Sequence, residues 1–214
     1  MENRTRRILM SVFGVIICGL SVGMFKRASF GVDPFQSLMS GLDSVIPISF
    51  GTLYVIVNVC LLLFSLILDR TKIGIATFIN LFLLGYIADF SHQFLLKTFP
   101  DAGIGFRAVL LIIAIVIMCL ASSLYFTANL GVSTYDAVAL IITGTWKIGQ
   151  FRYVRIICDF VCVAVGVILY ILASGSFSGI NAIVGVGTII TAFFMGPLID
   201  FFVEKVAKPF LNEK

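Results

Sequence analysis

Only 12% of the residues in this sequence are charged, and 214 residues hold one histidine and one tryptophan. So little charge cannot cover a soluble domain whose composition is 60% hydrophobic. The single histidine, His92, excludes a histidine-based metal cluster. The five cysteines, Cys18, Cys60, Cys119, Cys158 and Cys162, form no C-x-x-C pair and all lie in apolar stretches, which argues against zinc and disulfide frameworks and makes them small buried hydrophobes. None of G-x-S-x-G, H-E-x-x-H, a P-loop or D-D-x-x-D occurs, so nothing marks an enzyme and no cofactor is expected. The Lys and Arg residues sit at the ends of apolar stretches and not along one face, which excludes a nucleic-acid footprint.

What the chain does have is length in hydrocarbon. Its mean hydropathy is +1.11. Stretches long enough to cross about 30 Å of bilayer occur at 8–25, 51–68, 73–95, 108–128, 153–173 and 180–203. They leave no room for a soluble domain, so residues 1–214 read as a single all-α membrane domain. Arg4, Arg6 and Arg7 followed by an apolar run resemble a signal peptide, but the run is too long and lacks a small-x-small cleavage site, so it reads as a retained first helix.

The chain also repeats itself. Shifted by 100 residues, Phe25, Ala28, Gly31, Val32 and Phe35 fall on Tyr125, Ala128, Gly131, Val132 and Tyr135. Shifted by 111, Gly74, Thr77, Gly85, Asp89 and Phe90 fall on Gly185, Thr188, Gly196, Asp200 and Phe201. This predicts tandem repeats at 8–95 and 108–205, each of three long helices and one short one. The short segment from Pro34, about 13 residues or about 20 Å, cannot cross the bilayer alone and is expected to be re-entrant or interfacial. Three crossings per copy make the copies inverted. With a cytoplasmic N-terminus, 11 Lys and Arg fall inside (Arg4, Arg6, Arg7, Arg70, Lys72, Lys147, Arg152, Arg155, Lys205, Lys208, Lys214) and four outside (Lys26, Arg27, Lys97, Arg107). That supports cytoplasmic N- and C-termini. Eight crossings give the same split, and segment length decides for six.

Asp33 then Pro34 is an N-cap with proline at the first helical position, and Ser133-x-x-Asp136 is a capping box. Phe30-Gly31-Val32-Asp33-Pro34-Phe35-Gln36, with its degenerate copy Leu130-Gly131-Val132-Ser133-Thr134-Tyr135-Asp136, resembles the YitT/YczE family of bacterial integral membrane proteins, in its YczE-like branch. Phe35 and Gln36 stand where that family often has Trp and Asp, and the second copy loses the proline. The resemblance implies a multi-pass protein of the bacterial inner membrane and a transport role, with no defined substrate.

Polar residues at membrane depth are costly and tend to face cavities or partners. Asp33, Gln36, Asn58, Tyr135, Asp136 and Asp159 are the expected ligand or transport path, made by the short helices with Asn58 and Asp159 at equivalent places on long ones. A local ion pair with Arg155 is an equally available role for Asp159. Asp89 and Asp200, kept in both copies near helix C-termini, are candidate gating or ion-binding carboxylates, or interfacial ones, with His92 beside Asp89. Gly19 and Gly23, and Gly179, Gly185 and Gly187, suit close helix packing, and Thr77, Thr188, Asn80 and Asn181 suit interhelical hydrogen bonds. The leading expectation is a small-molecule transporter or permease subunit whose acidic residues favour a cationic or zwitterionic substrate. The alternative is a membrane-embedded regulatory or scaffolding protein. Expected partners are the lipid bilayer, an unknown small molecule, and a second copy or another membrane subunit.

Overall fold

In the computed structural model, which describes residues 2–211, every regular element is helical. The long helices are α1 (Glu2–Ala28), α3 (Phe50–Leu68), α4 (Ile75–Thr98), α5 (Ile104–Ala128) and α7 (Phe151–Ser174). The short ones are α2 (Pro34–Val45) and α6 (Thr134–Gly144), and α8 (Val186–Phe202) closes the bundle. Among the described residues five helices are long and apolar enough to cross a membrane, or six if the bent stretch from Ile180 to Phe210 counts as one span. The protein is an all-helical, multi-pass membrane protein. Lys214 lies outside the described residues.

The last expected span, 180–203, is not one continuous helix. Residues Ile180–Ala182 form a separate 3-10 turn, and α8 begins only at Val186. The stretches Ile180–Ala192 and Pro197–Phe210 meet at 57°. Pro197 lies inside α8, where its ring removes a backbone donor and crowds the preceding turn, so a bend there has a covalent cause.

Helix α1 packs on both α4 and α5 at the centre of the bundle. Against α4 the two chains come close because of glycine: a Cβ on Gly19 would meet Ile87, and one on Gly23 would meet Ser91. Ser91 Oγ then donates to the Leu20 carbonyl at 2.9 Å. Against α5, two arginines clamp opposite ends. Arg7 donates to the Ala128 carbonyl at 3.0 Å, and Arg107 donates to the Ala28 and Ser29 carbonyls at 2.7 and 3.1 Å. Each guanidinium thereby satisfies carbonyls that the end of a helix leaves open. The N-terminal end of each helix lies at the C-terminal end of the other. Midway between the two clamps, the Cys18 thiol meets Met118 Sδ at 3.4 Å.

The short helices have 12 and 11 residues, about 18 and 17 Å of rise, against about 30 Å of hydrocarbon. Each is buried toward its start and exposed at its end. Helix α2 packs along α7, where Gly41 and Ser37 lie against Gly166, and α6 packs along α3. The loops that feed them dock on other helices. The Phe30 carbonyl accepts from Gly187 N at 2.7 Å, and the Leu130 carbonyl accepts from Ala76 N at 3.0 Å. Gly31 and Gly131 have φ of +95° and +112°, and a Cβ on either would run into the backbone of Gly185 or Gly74. Only glycine makes that turn at that distance.

Candidate functional site

The caps foreseen in the sequence start both short helices. Asp33 Oδ1 accepts from Gln36 N at 3.1 Å, with Pro34 first in α2. Ser133 Oγ accepts from Asp136 N at 3.0 Å. The capping box differs in one bond: the Asp136 carboxylate accepts from the Ser133 hydroxyl, Oγ to Oδ2 at 2.7 Å. That leaves Oδ1 for another partner.

The partner is Arg155 on α7, whose Nη1 pairs with Asp136 Oδ1 while its Nε pairs with Asp159 Oδ1 at 3.1 Å. The foreseen local pair with Asp159 is thus half of a bridge. The guanidinium lies over the Tyr135 ring, 4.3 Å from its centroid, and the Tyr135 hydroxyl donates to Asp159 Oδ1 at 2.6 Å. A fork that fills two edges and one face with partners holds its geometry as a lysine could not. Across from it, Tyr135 stacks on Phe35 at 4.9 Å, and Tyr54 meets Phe35 edge-on at 5.9 Å. Asn58 accepts from Thr134 Oγ1 and donates to the Tyr54 carbonyl at 2.8 Å.

All of these surround one cavity of about 430 Å³. Asp33, Gln36, Asn58, Tyr135, Asp136 and Asp159 line it together, on four different helical segments. Its wall also carries Cys18, at the crossing midpoint of α1 and α5, so the cavity lies about halfway along the bundle. A smaller space of about 120 Å³ shares Cys18, Ser133 and Asp136 with it and reaches toward Gly14 and Tyr125, nearer the N-terminal end of α1. On the other side Thr191, Ala192, Met195 and Ile199 of α8 form the rim. Among the described residues α3 packs against α4, but α7 makes no such packing against α8. The cavity occupies that looser side.

Asp89 and Asp200 stand apart from the cavity. Asp89 accepts from Gln93 at 3.2 Å and not from His92, and Asp200 is exposed. Asn80 accepts from the Tyr54 hydroxyl at 3.2 Å and so joins α4 to α3 as foreseen, whereas Thr77 donates to the Val132 carbonyl at 2.6 Å in the loop before α6 and Thr188 to the Ile183 carbonyl at 3.4 Å just ahead of α8. What the sequence reading missed is Arg155 as a bridge between two short-range partners, and Tyr54 in the wall. A signal existed for the first: Asp136 stands in the first turn of one helix and Arg155 one turn into the next, with a single short loop between.

A search of solved structures returns no match. One curated relative, "Uncharacterized protein YyaS" of Bacillus subtilis (strain 168), is 24% identical over 200 residues, 94% of each chain. Residues 5–204 match the family model described as a family of unknown function (DUF6198), and the chain belongs to that family.

Proposed function

We propose that this protein is a small-molecule transporter, or the membrane subunit of a permease, in the bacterial inner membrane. The observation that carries the reading is the cavity: two half-length helices start at mid-bundle and turn their N-termini to one polar space, in the manner of transporter sites built from discontinuous helices. At about 430 Å³ it is of ligand size. Three carboxylates against one guanidinium favour a cationic or zwitterionic substrate. The six polar wall residues are its path.

We read the chain as two inverted repeats. Arg7 with Ala128 and Arg107 with Ala28 are the same contact with the copies exchanged, and so are Gly187 with Phe30 and Ala76 with Leu130. Cys18 with Met118 and Phe35 with Tyr135 pair equivalent positions, as residues near a two-fold axis do. Since α1 and α5 run oppositely, such an axis lies in the membrane plane, and the mechanism is rocking of one copy against the other. Four cations foreseen outside group accordingly, with Arg27 on the Phe99 and Pro100 carbonyls beside Arg107 on those of Ala28 and Ser29. The termini are cytoplasmic in this reading, and the glycine-turn motifs make the chain kin to the YitT/YczE proteins.

The test is uptake by proteoliposomes over a panel of small cations, zwitterions and anions. Transport of at least one cation or zwitterion is expected, with a large loss in Asp136→Asn. Labelling of cysteines placed at 26 and 70 is expected from opposite faces. One observation favours a second reading, a regulatory or scaffolding protein: only 11% of the apolar window of α7 is buried, against 33–50% in other long helices. That face suits a second copy or another membrane protein. No uptake of any panel member, with a partner retained on α7, would favour it.

A further inference from the structure

We infer that the cavity takes an organic monocation by an N–H-bearing head, an ammonium or amidinium seated on Asp33 and Gln36, and that it rejects the zwitterion of the same body. This rests on the cavity being the substrate site of the reading above. Asp33 and Gln36 lie three residues apart, in the cap and first turn of α2, and both line the cavity. Gln36 offers an acceptor without a donor, and Asp33 a carboxylate without a cation. Among the described residues no ammonium or guanidinium pairs with Asp33, whose carboxylate accepts from the backbone at Gln36 and Phe35. Gln36 is 5% exposed, and its Oε1 has no hydrogen-bond partner. A buried acceptor without a donor weighs against the fold, and a site completed by a ligand accounts for its presence. The start of α2 offsets part of the Asp33 charge, which lets the carboxylate stand unpaired until a cation arrives.

The opposite wall is already matched. Arg155 spends Nε on Asp159, Nη1 on Asp136 and its face on Tyr135. An incoming carboxylate finds there a guanidinium already bridging two carboxylates, with only Nη2 outside those two bonds, and meets three acids. A metal ion fits less well, because among the described residues no group of three His, Cys, Asp or Glu is placed to hold one. Beside the polar Asn58, Ser122, Ser133 and Thr191, the wall carries Val22, Phe35, Tyr54, Leu84, Met118 and Met195, which suit a hydrophobic body and a cation near aromatic faces.

The experiment uses the full chain in detergent micelles, with thermal stabilisation and titration calorimetry as readouts. The probes are butylammonium, 2-phenylethylammonium and benzamidinium, with phenylalanine and 2-phenylethanol as the zwitterionic and neutral counterparts of the second. At least one of the three cations is expected to bind saturably, and the two counterparts not to. Asp33→Asn keeps a capping oxygen and Gln36→Met keeps the volume; each is expected to weaken binding, the former roughly 10- to 100-fold. Asp43→Asn, at the far end of α2, is expected to bind as the wild type does. The inference is overturned if none of the three cations binds, if phenylalanine binds as tightly, or if both cavity variants keep wild-type affinity. Cation binding without flux in proteoliposomes would sink the transport reading and leave this site standing; flux of a zwitterion without cation binding would do the reverse.

Discussion

Replacing Arg155 by methionine tests whether the bridge across the cavity is a structural unit. The substitution keeps most of the apolar stem and removes two charge-assisted hydrogen bonds, each worth about 1.5–3 kcal/mol. It also removes a cation–π contact worth about 0.5–2 kcal/mol. Asp136 and Asp159 then remain side by side with only the Ser133 and Tyr135 hydroxyls on them. Breaking a buried pair costs about 3–5 kcal/mol. The side chains of Arg155, Asp136 and Asp159 are 30%, 20% and 26% exposed, so water screens part of this and the low end applies. A loss of about 3 kcal/mol lowers the unfolding midpoint by about 6–12 °C in a chain of this size. Thermal unfolding in mixed micelles reads it. Arg155→Lys, a point charge that serves one carboxylate at a time, should fall between. Removing all three charges in Arg155→Met/Asp136→Asn/Asp159→Asn should restore part of the loss, since no uncompensated carboxylate remains. A midpoint within 2 °C of wild type for Arg155→Met (about 1 kcal/mol or less), or no recovery in the triple variant, would refute the reasoning.

Gly131→Ala should sharply reduce the yield of folded protein, because φ of +112° and the Gly74 backbone both oppose a Cβ, whereas Gly105→Ala, with open space around it, should be neutral or stabilise α5 by up to about 1 kcal/mol. Size-exclusion profiles and unfolding midpoints compare the two. Arg107→Ala should cost about 1–3 kcal/mol by stripping donors from the Ala28 and Ser29 carbonyls, and hydrogen exchange should quicken at the last turn of α1 and nowhere near Arg7. With Cys18 as the sole cysteine, 2-aminoethyl methanethiosulfonate should label faster than the sulfonatoethyl reagent by about tenfold or more, after normalising to a free thiol, because the cavity it lines holds three carboxylates and one guanidinium. Equal rates would mean the acidic wall does not govern entry.

Length and hydropathy carried most of the helix pattern, because twenty apolar residues in lipid have few alternatives to a helix. The short helices were legible for a different reason: Asp33 before Pro34, and Ser133 three residues before Asp136, are local chemistry that needs no tertiary partner. Hydropathy failed at 180–203, where all but Asn181 and Asp200 are apolar or small enough to score as a span and only the geometry of Pro197 and the Gly185 start breaks it. The site was legible as a list of costly polar residues and not as a circuit. Arg155 reaching Asp136 depends on how α6 lies against α7, and the orphaned oxygen of Gln36 depends on what does not reach it. Spacing hints at the first and is silent on the second.

The two walls of the cavity are equivalent in position and unlike in chemistry, and that bears on the proposed rocking. Positions 33, 35 and 36 carry Asp, Phe and Gln, where 133, 135 and 136 carry Ser, Tyr and Asp. Tyr54 and Asn58 on α3 answer to Arg155 and Asp159 on α7. The second set closes on itself through Arg155, and the first leaves Asp33 and Gln36 open. The surroundings follow the same division. Helix α3 is latched to α4 by Tyr54 on Asn80, and a Cβ on Gly85 would meet Tyr54, whereas α7 stands off from α8. Under the proposed inverted-repeat reading the copies reach their opposite state by exchanging conformations, and that state has α7 drawn onto α8 and α3 released from α4. Closing the α7 side must then squeeze the rim at Thr191 and Met195 against the Arg155 bridge, while opening the α3 side must break the Tyr54–Asn80 bond beside the unpaired Asp33. In that proposed cycle a ligand head held on Asp33 and Gln36 sits where the second opening forms, which gives bound cargo a direct path out on the side opposite to the one it entered.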